Sequence, residues 1–327
     1  MIVATGVGSM PGADAAAYLE AVEVVVDELP DLPYLPELPG RGPHADLTGR
    51  ALAVVAELGA DLQPAGWRLT GGSGSAGVDH RRARSLLAQD LDTVEEQLQG
   101  YTGLFKVQVA GPWTLAATVE RPRGDRVLGD HGARRELAEA LAEGLRAHLA
   151  DVQRRLPGAA LVVQVDEPTL PAVLAGSVPT ASGLRRHRSV DAPAASPALE
   201  LVFAAVHESS AVPLAHCCAS EVPIGLLVGA GAAGVSVDLD VLPAAGYDDL
   251  AGLLEKDAPV HLGVVPTDGR GERVTERVLR FLEMVGLDPD SAGSLVVTPS
   301  CGLAGAGPVA ARRALRLART VAGDLRG

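Results

Sequence analysis

Eight short apolar runs, separated by longer stretches of helical periodicity, constrain this chain more than any other feature. The runs fall at residues 2–8, 33–36, 104–110, 159–165, 212–216, 234–237, 259–265 and 294–299. Most are continuous rather than alternating, the pattern of strands buried on both faces. The run at 33–36 is bounded by prolines. Between the runs, residues 134–155 carry Leu137, Leu141, Leu145 and Leu149, a leucine every fourth position, which is helical spacing. Residues 196–208, 272–285 and 309–325 also read as helices. Strands alternating with helices give a parallel α/β architecture. Eight such units in 327 residues predict an α/β fold of the (β/α)8 TIM barrel type. A doubly wound open sheet is the rival, but no Gly-x-Gly-x-x-Gly fingerprint follows the first run. We expect one barrel over residues 1–327. Residues 38–100 exceed a simple βα unit and predict an excursion over the barrel mouth, with a hairpin around 67–77.

Composition narrows the function. Hydrophobic residues make up 47% and aromatics only 3%, so the core is built from Val, Leu and Ala. A net charge of −13 argues against a nucleic-acid partner, because phosphate binding needs basic clusters. Arg81-Arg82-Ala83-Arg84 and Arg185-Arg186-His187-Arg188 read as solvated surfaces. Three cysteines do not make a disulfide framework. No segment reaches the roughly 18 apolar residues of a membrane span, and the N-terminus lacks the marks of a signal peptide. The expectation is a cytoplasmic protein, where thiols stay reduced and free to bind metal.

On a strand, residues i and i+2 point the same way. His216 and Cys218 therefore share a side, and Cys217 faces the opposite one. Cys301 follows the run at 294–299, so in a parallel barrel all three ligand types emerge at one rim. Imidazole and thiolate suit zinc. A fourth ligand is offered by Asp238, which ends the run between the two cysteine-bearing ones; Asp240 has the same parity and competes. Asp166 and Glu167 end the fourth run, and alternation sends one to the rim and the other away. Asp166 there can hold an ammonium by charge-assisted hydrogen bonds. Gly8-Ser9-Met10-Pro11 closes the first run, where backbone amides and the Ser9 hydroxyl suit a carboxylate. Glu37 and Asp46 follow the second, and Gly111-Pro112-Trp113-Thr114 closes the third. His261, early in the seventh run, is expected near the bottom face with a structural role.

Gly8-Ser9-Met10-Pro11, Gly111-Pro112-Trp113-Thr114, Asp166-Glu167-Pro168, His216-Cys217-Cys218 and Pro299-Ser300-Cys301-Gly302-Leu303, in this order, resemble the C-terminal catalytic domain of cobalamin-independent methionine synthase. That domain lies in the barrel superfamily that includes uroporphyrinogen decarboxylase. The resemblance implies zinc held by His216, Cys218 and Cys301, with Asp238 where the family has a glutamate. It implies Ser9, Glu37 and Asp166 around the amino-acid part of homocysteine, with Asp166 and His216 as the candidate catalytic residues. The implied reaction moves a methyl group to homocysteine, giving methionine, from methyltetrahydrofolate or a methylcorrinoid carrier. The family's Asn-Trp-Ser beside the folate is replaced by Leu115-Ala116-Ala117-Thr118, so the donor is not carried over. The alternatives are a corrinoid-linked methyltransferase acting on another thiol, and a non-catalytic zinc- or amino-acid-binding relative. A metal-free relative of the decarboxylase type is disfavoured by the ligands and by the shortage of arginines at the barrel mouth.

Overall fold

In the computed structural model, which describes residues 1–73 and 76–326, the apolar runs become a closed parallel barrel. Its strands are β1 (Val3–Ala4), β4 (Leu104–Ala110), β5 (Ala160–Asp166), β6 (Val212–Cys217), β7 (Gly234–Asp238), β8 (Val260–Val265) and β9 (Leu295–Pro299). These seven lie in the order β1-β9-β8-β7-β6-β5-β4, all parallel. Two further strands, β2 (Leu58–Gln63) and β3 (Gly66–Ser73), form a separate antiparallel hairpin.

Residues 33–37 close the ring between β4 and β1. Lys106 N–H donates to Pro33 O and Leu35 N–H to Lys106 O, each at 2.9 Å. On the other side Glu37 N–H donates to Gly8 O at 3.1 Å and Met10 N–H to Glu37 O at 2.8 Å. The segment pairs only through single bridges, Tyr34 to Lys106 and Ser9 to Glu37. Pro33 and Pro36 explain this, since proline has no N–H to give a ladder. The first strand, expected over residues 2–8, pairs as β1 only at Val3 and Ala4.

The helices are α1 (Ala15–Glu28), α2 (Leu47–Val54), α3 (Val78–Gln97), α4 (Pro112–Thr118), α5 (His131–Arg155), α6 (Leu170–Leu174), α7 (Ala192–Glu208), α8 (Ile224–Gly229), α9 (Ala244–Leu254), α10 (Val274–Met284) and α11 (Pro308–Asp324). Asp14, Asp46, Asp130 and Asp191 start α1, α2, α5 and α7 by accepting a hydrogen bond from the N–H three residues on, which satisfies an otherwise unpaired donor. α7 begins four residues before the expected start and accommodates Pro197 in its first turns. Leu137, Leu141, Leu145 and Leu149 of α5 are all buried, as their spacing predicts.

The hairpin occurs earlier than the sequence suggests, turning between Gln63 and Gly66; residues 74 and 75 of the expected range lie outside the described residues. It is fastened to the loop after α4. Leu69 N–H donates to Glu120 O and Glu120 N–H to Trp67 O, both at 2.9 Å, and Arg68 pairs with the buried Glu120 carboxylate.

The barrel has an inverted polarity. Its outer side, against the helices, is apolar: Phe105, Val107, Val109, Leu161, Val163, Val235, Leu262 and Val297 belong to one large cluster. Inside, only a small plug is apolar, formed by Leu32, Val162, Leu214 and Val296 with Val3 packed on it. Above that plug the interior is polar. Thr5, Tyr34, Lys106, Gln164, His216, Ser236, His261 and Thr298 are all buried. Barrels of this architecture ordinarily fill that space with branched aliphatic side chains.

Candidate active site

The C-terminal ends of the strands bring the candidate residues together in two adjacent groups. The first centres on the thiols. Cys218, just past β6, and Cys301, just past β9, place their sulfurs 3.4 Å apart. A disulfide needs about 2.05 Å. Two thiolates on one tetrahedral zinc, each about 2.3 Å from it, stand about 3.8 Å apart. The two sulfurs are in hydrogen-bond contact, longer than a disulfide and shorter than a zinc-bound pair. The hydrogen bond between the two thiols lowers the Cys301 thiol to about 6; the same bond, with burial, raises Cys218. Cys217 is buried, which pushes its thiol up to about 11.

His216 lies beside Asp166 of β5 and Ser236 of β7 in register. Its Nδ1 is 2.9 Å from Ser236 Oγ, which leaves Nε2 as the nitrogen available to a metal. Burial, and secondarily the Lys106 ammonium, lowers its pKa to about 3, so the ring is neutral, the form that ligates. A hydrogen bond at the far nitrogen is what orients a metal-bound imidazole. Asp238 ends β7 half-buried, and its Oδ1 accepts from Asp240 N–H at 2.9 Å. Its charge acts on Cys301. Asp240 instead pairs with Arg277. Among the described residues, no group of three or more His, Cys, Asp or Glu side chains closes around one point at metal-ligand spacing. The thiol pair is assembled, and His216 and Asp238 flank it.

The second group is the carboxylates. Asp166 is buried and accepts from Gln164 Nε2 at 2.7 Å. Burial and the nearby Glu37 raise its pKa well above the usual range, against the pull of Lys106. Glu37 is also buried and raised by burial, opposed chiefly by Arg50. Arg50 lies 3.4 Å from Glu37 and 2.6 Å from Asp90, which in turn holds Arg41 at 2.7 Å. Helices α2 and α3 of the excursion thereby buttress the rim. Ser9 sits between Glu37 and the Cys301 loop. Its carbonyl accepts from Leu303 N–H at 2.8 Å and its Oγ from Ala304 N–H at 3.4 Å.

Glu167 takes the other direction, as alternation requires. It accepts from Trp113 N–H at 2.9 Å and from the Thr114 N–H and hydroxyl at 2.7 Å each. This explains the Gly-Pro-Trp-Thr turn: Pro112 opens α4, and a Cβ on Gly111 would lie 2.4 Å from Glu167 Oε1. Burial raises Glu167 to about 7. Asp46 caps α2 through Gly49 N–H at 2.7 Å.

Several residues of the site were not singled out from the sequence. Lys106 is fully buried; burial lowers it to about 8 against the pull of Asp166 and Glu37. Gln108 contacts Glu37, and Gln164 and Ser236 orient Asp166 and His216. The signal was present: Lys106 and Gln108, Gln164 and Asp166, His216 and Cys218, Ser236 and Asp238 are polar pairs at i and i+2 on four successive strands. His261 pairs with Ser236 on one side and with Val296 of the plug on the other; it is buried near His216 and Lys106, and burial lowers its pKa to about 3. Its Nδ1, with Tyr34 OH, Gln108 Oε1 and Thr298 Oγ1, has no hydrogen-bond partner.

Comparison with known proteins agrees with this geometry. The whole chain aligns with 98% of a B12-independent methionine synthase from Shewanella sp. W3-18-1, solved in complex with selenomethionine, at a TM-score of 0.65 and 12% identity; this supports the barrel fold. A prolidase complexed with N-methylphosphonate-L-proline (TM-score 0.31, 14% identity, 73% of this chain and 68% of that one) and the carboxyl transferase domain of Rhizobium etli pyruvate carboxylase (0.26, 15%, 68% and 42%) are too distant to argue from. No curated protein matches in sequence. The model of the cobalamin-independent synthase catalytic domain matches residues 106–324. That span is more than half of the chain and contains most of β4, all of β5 to β9 and both Cys218 and Cys301, and the chain therefore belongs to the cobalamin-independent synthase catalytic-domain family.

Proposed function

We propose that this protein is a zinc-dependent methyltransferase that moves a methyl group to the thiol of homocysteine, giving methionine. The observation that carries the reading is the 3.4 Å approach of Cys218 and Cys301 on the rim that also presents Asp166. His216, Cys218 and Cys301 would hold the metal, with Asp238 as the fourth ligand. A free thiol has a pKa of about 8.5, and bound zinc supplies the deprotonation that makes it a nucleophile at neutral pH. The chain's own residues do the rest. Asp166 and Glu37 receive the substrate ammonium. Ser9 and the turn around it receive the carboxylate. Ser236 holds the His216 ring in place. Substrate sulfur and methyl carbon form the new bond, the donor keeps the electron pair of the broken one, and the thiol proton leaves to solvent. Aligning the two reactants contributes about 7–11 kcal/mol to such a displacement.

The methyl donor is methyltetrahydrofolate or a methylcorrinoid carrier. The reading places the protein in the cytoplasm. No helix among the described residues is long and apolar enough to cross a membrane.

Metal analysis with homocysteine titration tests the proposal. Purified protein should carry about one zinc per chain, and homocysteine should change the zinc X-ray absorption edge as a third sulfur joins. Protein that binds no zinc, or whose edge ignores homocysteine, would overturn it. Turnover with each methyl donor then separates the two donor classes.

A further inference from the structure

We infer that Lys106 is a positioning residue of the substrate clamp: through the Gln164 amide it sets which oxygen Asp166 presents to the ammonium of an amino-acid thiol. The inference rests on the reading above that Asp166 receives that ammonium.

A fully buried lysine is costly unless its charge and all its donors are met. Lys106 Nζ donates to Val7 O at 2.8 Å and to Gln164 Oε1 at 2.9 Å, and lies 5.2 Å from the centre of the Tyr34 ring. An ammonium only donates. The Gln164 oxygen must therefore face Lys106, and its nitrogen must point the other way. That nitrogen donates to Val7 O at 2.9 Å and to Asp166 Oδ1 at 2.7 Å. A flipped amide would set N–H groups against the ammonium and oxygen against the carboxylate. The charges at the two ends thus specify one orientation, and every polar atom of the amide is used.

The consequence falls on Asp166. Its Oδ1 is committed to Gln164, so Oδ2 is the oxygen left to accept from a ligand. The carboxylate plane is held by a bond whose far end is anchored to a residue on β4. Lys106 sits beneath the clamp, in register with Val162 and two strand repeats below Asp166, and acts through Gln164 rather than on the substrate.

A double-mutant cycle on binding tests this without needing the methyl donor. Affinities for homocysteine and for 4-mercaptobutyrate, the same thiol without its amino group, are measured by calorimetry in the wild type, Lys106→Met, Gln164→Leu and the double variant. The wild type should prefer homocysteine. Each single variant should lose that preference about tenfold, the scale of one hydrogen bond to a charged group. The double variant should lose no more than the singles, because residues acting in series are non-additive. Affinity for 4-mercaptobutyrate should stay within about twofold throughout. A preference that survives Lys106→Met, or losses that add, overturns the relay and leaves the amino-acid reading standing. A wild type that binds both thiols equally overturns that reading and the inference with it. Should the variants fail to fold, side-chain amide NMR of the wild type decides. The Gln164 amide protons should exchange slowly and shift with homocysteine but not with 4-mercaptobutyrate. Free exchange, or no response to homocysteine, overturns the relay.

Discussion

Gly302 leaves the space that Ser9 occupies: a Cβ at position 302 would lie 2.1 Å from Ser9 Oγ. The contact joins the turn after the first strand of the barrel to the loop that carries Cys301. Gly302→Ala should push the Ser9 hydroxyl out of place at a cost of about 1–3 kcal/mol, and should weaken homocysteine binding. Calorimetry alongside thermal unfolding checks this. Unchanged affinity in a folded variant would mean that Ser9 does not touch the ligand.

The bond between His216 Nδ1 and Ser236 Oγ makes a prediction about metal retention. Ser236→Ala leaves all four proposed ligands in place but frees the imidazole. Zinc affinity should fall about 10–100-fold, the usual effect of removing an orienting partner. Competition with a chromogenic chelator measures it, with Cys218→Ser/Cys301→Ser as the metal-free reference. An affinity equal to wild type would remove His216 from the ligand set.

Glu167 gives a pH dependence with a definite sign. Burial raises its folded pKa to about 7, against about 4.3 in an unfolded chain. Between those values the folded state binds more protons than the unfolded one. Its contribution to stability is therefore fully present below about pH 4.3 and is lost as pH rises to about 7. Glu167→Gln cannot titrate, so the difference in stability between wild type and variant should shift in favour of the variant across that interval. Denaturant melts at several pH values test it. A difference that stays flat with pH would show that the three donors from Trp113 and Thr114 keep the carboxylate ionised throughout.

Leu145 of α5 is fully buried in the outer shell. Leu145→Ala should cost about 2–5 kcal/mol of stability, yet zinc content and homocysteine affinity should be unchanged at temperatures where the variant is folded. Metal loss in the folded variant would show that the shell and the site are coupled.

The outer shell was legible in the sequence because its signal is repetitive. Runs of Val and Leu marked β4 to β9 to within a residue or two, and the leucines of α5 declared its buried face. The closing segment at 33–37 was harder to read, because its prolines leave isolated bridges in place of a ladder. Asp166 and Glu167 separated as alternation requires. Lys106 was passed over because one charged residue in Leu-Phe-Lys-Val-Gln-Val-Ala looks like an interruption of a strand; only its i+2 relation to Gln108 reveals an inward face. His261 reads as structural from its place early in its run, and nothing local shows that its ring shares the buried polar interior with His216 and Lys106. The buttress of Arg41, Arg50 and Asp90 joins residues 40 to 49 positions apart, and no local pattern announces it.

The inverted polarity of the barrel separates two kinds of selection. Substitutions inside the ring alter which ligand is recognised and how, while the aliphatic mantle outside continues to hold the strands together. A lineage with this layout can change what its barrel mouth binds by editing a handful of inward side chains, with little risk of losing the scaffold on which they stand.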